Sequence, residues 1–221
     1  MQAINTWGWK NKRMNHIIEF LKTVENLHTE KRALELSNGK KQSVSSHSWM
    51  MSIMAMIFAP RLQQSVDLNK VIKLCLLHDL AESKVGDMKL HEQISNSELG
   101  KIKQERELKA MNELCALLPE SDVGAGIREL WNEYEERKTP ESKFVKVLDM
   151  LDVCVQLVCT KSLKTWSSYG NGIYPKIYFS EEYKNNFNFD SFTMKLFIEI
   201  QYVVTKRFKE ELNLTPDDFK E

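Results

Sequence analysis

Leu74-Cys-Leu-Leu-His-Asp-Leu-Ala-Glu-Ser-Lys-Val-Gly-Asp87 is the stretch that decides how the chain is read. It begins as an apolar helical run and then places His78, Asp79, Glu82 and Asp87 within ten positions. An apolar run ending in adjacent imidazole and carboxylate groups fits a helix that delivers metal ligands to a buried site. Residues 78 and 82 are four apart, so on a continuous helix Glu82 lies one turn beyond His78 on the same face. A carboxylate there can work on a water at the site without being a ligand. Taken alone, the pair also fits a surface ion pair or a helix cap, so its meaning depends on the rest of the chain.

Outward from this stretch the periodicity is helical. Asp67 caps the helix that leads into it. Upstream, Ser43, Ser45 and Ser46 offer caps for a helix that carries His47 in its first turn, is apolar nearly all round from Trp49 to Phe58, and stops near Pro60. That helix is expected to be the central buried one, with Met50, Met51, Met54 and Met56 as core filling. Residues 11–28 form an amphipathic helix, and a mixed segment with a loop signal at Gly39 follows. Downstream, helices are expected over 98–118, 127–137, 144–163 and 191–212, with Pro119 and Pro140 as punctuation. No strand-like alternation, repeat or low-complexity tract stands out. The expectation is one all-α domain of six to eight helices. The segment 165–190 is irregular and rich in aromatics, and reads as a long loop with its own satellite cluster, a dimer surface or a lid.

Composition narrows the function. The 221 residues are 42% hydrophobic, enough for one sizeable core. Thirty-one basic residues balance thirty-one acidic ones, which argues against a general nucleic-acid or membrane-surface binder. The N-terminus lacks a continuous apolar run, and Trp49–Phe58 is about half the ~20 residues a membrane span needs. Cys75, Cys115, Cys154 and Cys159 form no C-x-x-C pair and sit in apolar helical patterns, so they read as reduced core thiols of a cytoplasmic protein.

A third acidic element lies in Lys143-Phe-Val-Lys-Val-Leu-Asp149-Met-Leu-Asp152. Phe144, Val147, Leu148 and Leu151 mark its buried stripe. Asp149 flanks that stripe, and Asp152 is equally available by periodicity. An acid inside so apolar a helix is costly to bury unless it is paired or coordinates a cation. Pairing with Lys143 or Lys146 is the alternative to a ligand role.

The order His47, His78-Asp79, Asp149 resembles the H…HD…D signature of the HD-domain metal-dependent phosphohydrolases. The segments SVSSHSW, LLHDLAESKVGD, LLPE, LWNEYEE and ESKFVKVLD are similar to successive motifs of their YfbR-like 5′-deoxynucleotidase branch, to which the HD-domain-containing protein 2 type belongs. This resemblance covers slightly over half the chain, from about Arg32 to Asp152. It implies a single HD domain over 1–221, with a motif-bearing core at about 11–165 and an aromatic-rich extension at 166–221. It also selects Asp149 over Asp152, giving a metal set of His47, His78, Asp79 and Asp149. Two imidazoles and two carboxylates suit one divalent transition ion, Mn²⁺, Co²⁺, Fe²⁺ or Zn²⁺. The implied reaction removes the 5′-phosphate from (deoxy)nucleoside monophosphates by attack of a metal-activated water. Glu82 is implicated in proton transfer, Asp87 belongs to the catalytic pocket, and Arg32, fifteen positions before His47, is the expected phosphate clamp. A dNTP triphosphohydrolase and a non-catalytic nucleotide-binding protein are the alternatives.

The chain departs from the family where substrate is read. Gln42 and Ser46 stand where relatives are usually acidic, and Ala33 follows Arg32 where some relatives place an aromatic. Met88-Lys89-Leu90 replaces small, hydroxylated or proline residues, with Lys89 as a substitute cation for substrate binding. His91 is the sole histidine between the HD pair and Asp149, which favours one metal over two. The expected partner is a small nucleotide, with no nucleic-acid polymer or membrane, and the family resemblance adds a homodimer.

Overall fold

The computed structural model describes residues 6–87, 97–118, 121–168 and 173–219. Seven helices of ten residues or more carry the fold: α1 (Thr6–Glu25), α2 (Val44–Phe58), α3 (Leu68–Leu77), α5 (Ser97–Ala116), α6 (Ser121–Glu136), α7 (Pro140–Cys159) and α11 (Ser191–Leu212). Short helices α4 (Glu82–Val85), α8 (Lys164–Ser168), α9 (Ile173–Tyr178) and α10 (Glu181–Asn185) connect them. The all-α class is as the sequence indicates. Local chemistry sets the ends. Asp67 accepts hydrogen bonds from the Asn69 and Lys70 amides at the start of α3, and Thr139 caps α7 with Pro140 in its first turn. Asp190 and Thr193 form a capping box at the start of α11. α6 begins six residues before the expected position. Its early turn is hidden in the sequence by two glycines, of which Gly124 is needed: a Cβ there would lie 2.6 Å from the Cys115 carbonyl oxygen of α5.

α7 is the central helix, in place of α2. Phe144, Val147, Leu148, Leu151, Cys154 and Leu157 are buried on it, and it packs against α2, α3, α6 and α11. α2 buries Val44, His47, Met51, Met54 and Ala55 but leaves Trp49, Met56 and Ile57 exposed on its far side. Its all-round hydrophobicity therefore does not report all-round burial. The stripe Met14, Ile18 and Leu21 of α1 is exposed too. Of the cysteines, Cys75 and Cys154 are buried, Cys115 is half-buried and Cys159 is exposed, so the core-thiol reading fails at Cys159. Among the described residues no helix is long and apolar enough to cross a membrane.

Two features depart further from the sequence reading. Residues 31–43 form an antiparallel hairpin, β1 (Lys31–Glu35) and β2 (Lys41–Ser43), turning at Gly39 with φ +78°. These strands are too short to show period-two alternation, and only Leu34 and Gln42 on them are buried. The described part of 165–190 is a string of short helices and a 3₁₀ turn (Asn186–Phe189), not a long loop. Trp166, Tyr178 and Phe187 join the main core with Phe197, Val204 and Phe208 of α11, and the Tyr183 hydroxyl donates to the Met150 carbonyl at 2.8 Å. The aromatics thus weld α11 onto α7. Tyr169, Gly170 and Gly172 lie outside the described residues.

Phe187 stacks on Phe197 with centroids 4.2 Å apart. Phe197→Ala is expected to cost about 3–5 kcal/mol in urea unfolding, as large-to-small changes of buried aromatics do. Tyr202→Ala, at a 73% exposed position of the same helix, is expected to stay within about 0.5 kcal/mol.

Candidate functional site

The site forms where the hairpin, α2, the end of α3 and α7 converge. The Ser43 hydroxyl accepts from the Ser46 amide while the Ser46 hydroxyl accepts from the Ser43 amide, a capping box. That fixes the first turn of α2 and with it His47. Ser46 is therefore occupied in holding the helix start.

α3 ends at Leu77, and the chain continues in tighter three-residue turns. Leu80 donates to Leu77, Glu82 to Asp79 and Ser83 to Leu80. His78 and Ala81 keep right-handed helical backbone angles (φ −58°, ψ −39° and φ −58°, ψ −32°), so the chain tightens here without leaving the helical region. The segment closes at Gly86, whose φ of +75° and ψ of 163° suit glycine. Glu30 pins this turn by accepting from the Asp87 amide at 3.2 Å.

Both imidazoles are anchored through Nδ1. His78 Nδ1 lies 2.9 Å from the Cys75 carbonyl oxygen, which can only accept, so Nδ1 donates. His47 Nδ1 lies 2.7 Å from Asp152 Oδ2. Burial works against the Asp152 charge, but bonding to His47 outweighs it and holds the carboxyl below its usual range, so here too Nδ1 donates. Each Nε2 is then left as an acceptor. Both Nε2 atoms are buried and lack a partner in hydrogen-bond geometry among the described residues. They face carboxylates: Asp149 Oδ1 is 3.3 Å and Asp79 Oδ2 3.9 Å from His47 Nε2, and Asp79 Oδ2 is 3.1 Å from His78 Nε2. His47, His78 and Asp79 each offer one ligand atom within 4.8 Å of the others. Acceptors converge on acceptors, an arrangement satisfied by a cation or a proton between them. The donor set fits a divalent transition ion.

Positive charge surrounds this centre. Arg32, on β1, directs Nη1 to Asp79 at 3.4 Å and Nη2 to Asp149 at 3.6 Å. Lys146 holds the other oxygen of Asp149 at 2.8 Å, so the lysine pairing and the histidine-facing position coexist on one carboxylate. Burial alone would raise Asp149, yet Lys146, His47 and Arg32 keep it well ionised. For His47, burial and Arg32 lower the pKa, but Asp149 and Asp152 outweigh them and raise it. A proton and a metal ion therefore compete for the same lone pair.

Glu82 is buried at 5% exposure, with Oε2 unpartnered among the described residues. Burial, then the charges of Asp79 and Asp87, push its pKa well up. Asp87 is half-buried and raised for the same first reason. The structure thus brings His47, His78, Asp79, Asp149, Arg32, Glu82 and Asp87 to one region. Lys89 and His91 lie outside the described residues. Sequence reasoning missed Gln156 and Tyr134 as neighbours of the site, noted Gln42 only as a departure from the family pattern, and weighed Asp152 only as a ligand. Tyr134 packs edge-on against His78 at 5.2 Å. The i, i+3, i+7 spacing of 149, 152 and 156 along α7 was the available signal.

On the adjoining α5, Lys103 pairs with Glu107 at 3.4 Å. Burial pushes Glu107 up to about 6, with Lys103 opposing and Glu135 adding. The folded state therefore holds this proton more tightly than the unfolded chain. Stability from this group is present below the usual glutamate pKa and falls as pH rises to about 6, by up to about 2 kcal/mol in metal-free protein. Glu107→Gln removes that dependence. Its stability relative to the parent is expected to rise between pH 4 and pH 7 in urea denaturation, and a pH-independent difference would contradict the assignment.

Comparison with known proteins agrees with this geometry. The family model described as "HD domain" matches residues 24–185. The human protein named 5′-deoxynucleotidase HDDC2 is 31% identical over 71% of this chain and 74% of its own length. The mouse protein of that name is 38% identical over 53% of this chain and 55% of its own. Among solved structures, one titled a predicted metal-dependent phosphohydrolase, from Magnetospirillum magnetotacticum, superimposes with a TM-score of 0.71 at 25% identity, covering 90% of this chain and 94% of that one. With a family match over most of its length and the family's histidines and aspartates gathered at one buried point, the chain belongs to the HD-domain family.

Proposed function

We infer that this chain is a metal-dependent phosphohydrolase that removes the 5′-phosphate from deoxynucleoside monophosphates. The observation that carries the reading is the pair of anchored imidazoles whose Nε2 lone pairs face two carboxylates beneath a guanidinium. The activity in its relatives' names supplies the substrate class. His47, His78, Asp79 and Asp149 would hold one ion, with Mn²⁺, Co²⁺, Fe²⁺ and Zn²⁺ all suited to the set. When bound, that ion supplies Lewis acidity at the phosphoryl group and lowers the pKa of an attacking water.

The chain's own residues account for the remainder. Arg32 is kept charged among Asp79, Asp149, Asp152 and Asp87, although burial opposes it. Its planar donors can turn from carboxylate oxygens to phosphoryl oxygens, neutralising the dianion and stabilising charge as the P–O5′ bond breaks. Water oxygen bonds to phosphorus, the nucleoside 5′-oxygen departs, and that oxygen takes up a proton. Glu82, a buried carboxyl that retains its proton above the usual range, would supply that proton, as a general acid does. The alternative, triphosphate release, calls for further free cations. Lys84 is paired with Glu113 and Lys146 with Asp149, which weighs against it.

The test is phosphate release by Mn²⁺- or Co²⁺-loaded protein across deoxynucleoside monophosphates, ribonucleoside monophosphates and deoxynucleoside triphosphates. Turnover is expected on the first group. No turnover on any substrate, with metal shown bound, overturns the reading. Asp149→Ala is expected to lose metal and activity together. Glu82→Gln should keep its metal while kcat falls about 10²–10⁴-fold, the usual worth of a general acid–base group.

A further inference from the structure

We infer that Asp152 is a positioning residue: clamped by the Gln42 and Gln156 amides, it fixes the His47 ring and so sets the affinity of the centre for a divalent ion. The inference rests on His47 being a ligand, as proposed above.

Asp152 is fully buried on α7 and both its oxygens are in use. Oδ2 accepts from His47 Nδ1 at 2.7 Å and from Gln42 Nε2 at 2.8 Å, and Oδ1 accepts from Gln156 Nε2 at 3.3 Å. A buried carboxylate needs such donors to offset its lost hydration. The amides come from two elements, β2 and α7, so the carboxylate is held from both sides. Because it can only accept, it fixes the proton of His47 on Nδ1 and aims the Nε2 lone pair at Asp79 and Asp149. Partners of this kind orient metal-binding imidazoles and raise their basicity.

His78 provides an internal contrast. Its Nδ1 is held by the Cys75 main-chain carbonyl, which no side-chain substitution removes. His47 depends on a charged side chain, so its orientation alone of the two is open to mutation at a distance from the ion. Both Asp152 oxygens are committed to protein donors, so its effect on the centre passes through the ring.

The test uses Asp152→Asn and Asp152→Ala in the full chain. Asparagine keeps an acceptor for Nδ1 but loses the charge, and its NH₂ turns toward amide donors. Mn²⁺ affinity by chelator competition is expected to weaken about tenfold in Asp152→Asn and about 100-fold in Asp152→Ala, the range for loss of such partners. Imidazole ¹⁵N shifts of the metal-free protein at alkaline pH should show His47 wholly as the Nδ1–H tautomer in the parent and mixed in Asp152→Ala, with His78 unchanged in both. A merely structural role would lower thermal stability without moving the tautomer. Folded Asp152→Asn with parental Mn²⁺ affinity and an unaltered His47 tautomer overturns the inference; should the alanine variant not fold, the asparagine variant decides alone. A parent that binds no divalent ion overturns the metal reading and with it the affinity half of the inference, whatever the tautomer shows.

Discussion

Two buried imidazoles whose Nδ1–H groups are each committed to a fixed acceptor define this molecule. Once His47 Nδ1 is committed to Asp152 and His78 Nδ1 to the Cys75 carbonyl, their second nitrogens can only accept. Buried acceptors facing carboxylate oxygens at 3.1–3.9 Å repel one another, and repulsion at that distance is strong where the local dielectric is low. Arg32 and Lys146 relieve it from the flanks, but neither lies between the nitrogens and the oxygens. The geometry is stable with a cation or a proton in that gap. The rest of the fold can be understood as what keeps these four groups from moving apart.

α7 does most of that work. One face supplies Phe144, Val147, Leu148 and Leu151 to the main core, and burial of that kind fixes a helix against rotation because close-packed side chains leave it one seat. Rotation is what the site cannot tolerate: Asp149, Asp152 and Gln156 are read at fixed bearings from the same helix. The aromatic segment after α7 serves the same end. Phe187 against Phe197 and the Tyr183 hydroxyl on the Met150 carbonyl tie α11 to α7.

The sequence made the long elements legible because each depends on local signals. Periodicity with Asp67 and Ser43 as caps gives α3 and α2, and periodicity alone gives α11, near their observed limits. The hairpin escaped because two short strands with one buried residue each carry no alternation. Burial of α2 was overread because hydrophobic composition says what can be buried and not what has a partner; Trp49 and Met56 are apolar and face outward. At the site, the order of His47, His78-Asp79 and Asp149 was readable, and so was Arg32. Asp152 was visible as an acid in a buried helix, but its role depends on a contact 105 residues away in sequence with His47, and no local pattern encodes that. The change from four-residue to three-residue hydrogen bonds after Leu77 leaves no mark in composition.

This difference explains why reaction class is firmer than substrate. The groups that activate phosphate sit on helix ends and a helix interior, fixed by caps and packing within the described chain. The groups expected to read the sugar and base belong to the segment after Asp87, where the chain departs from its relatives at Met88-Lys89-Leu90, and to the position after Arg32, where Ala33 brings no ring to stack. A smaller side chain at 33 lowers the apolar surface available beside the phosphate clamp, and with it the part of binding energy that comes from burying sugar and base. Recognition must then lean on charge at the phosphate end. On the proposed reading, in which Arg32 and the metal centre hold the phosphate, those contacts are the same whichever base the nucleotide carries.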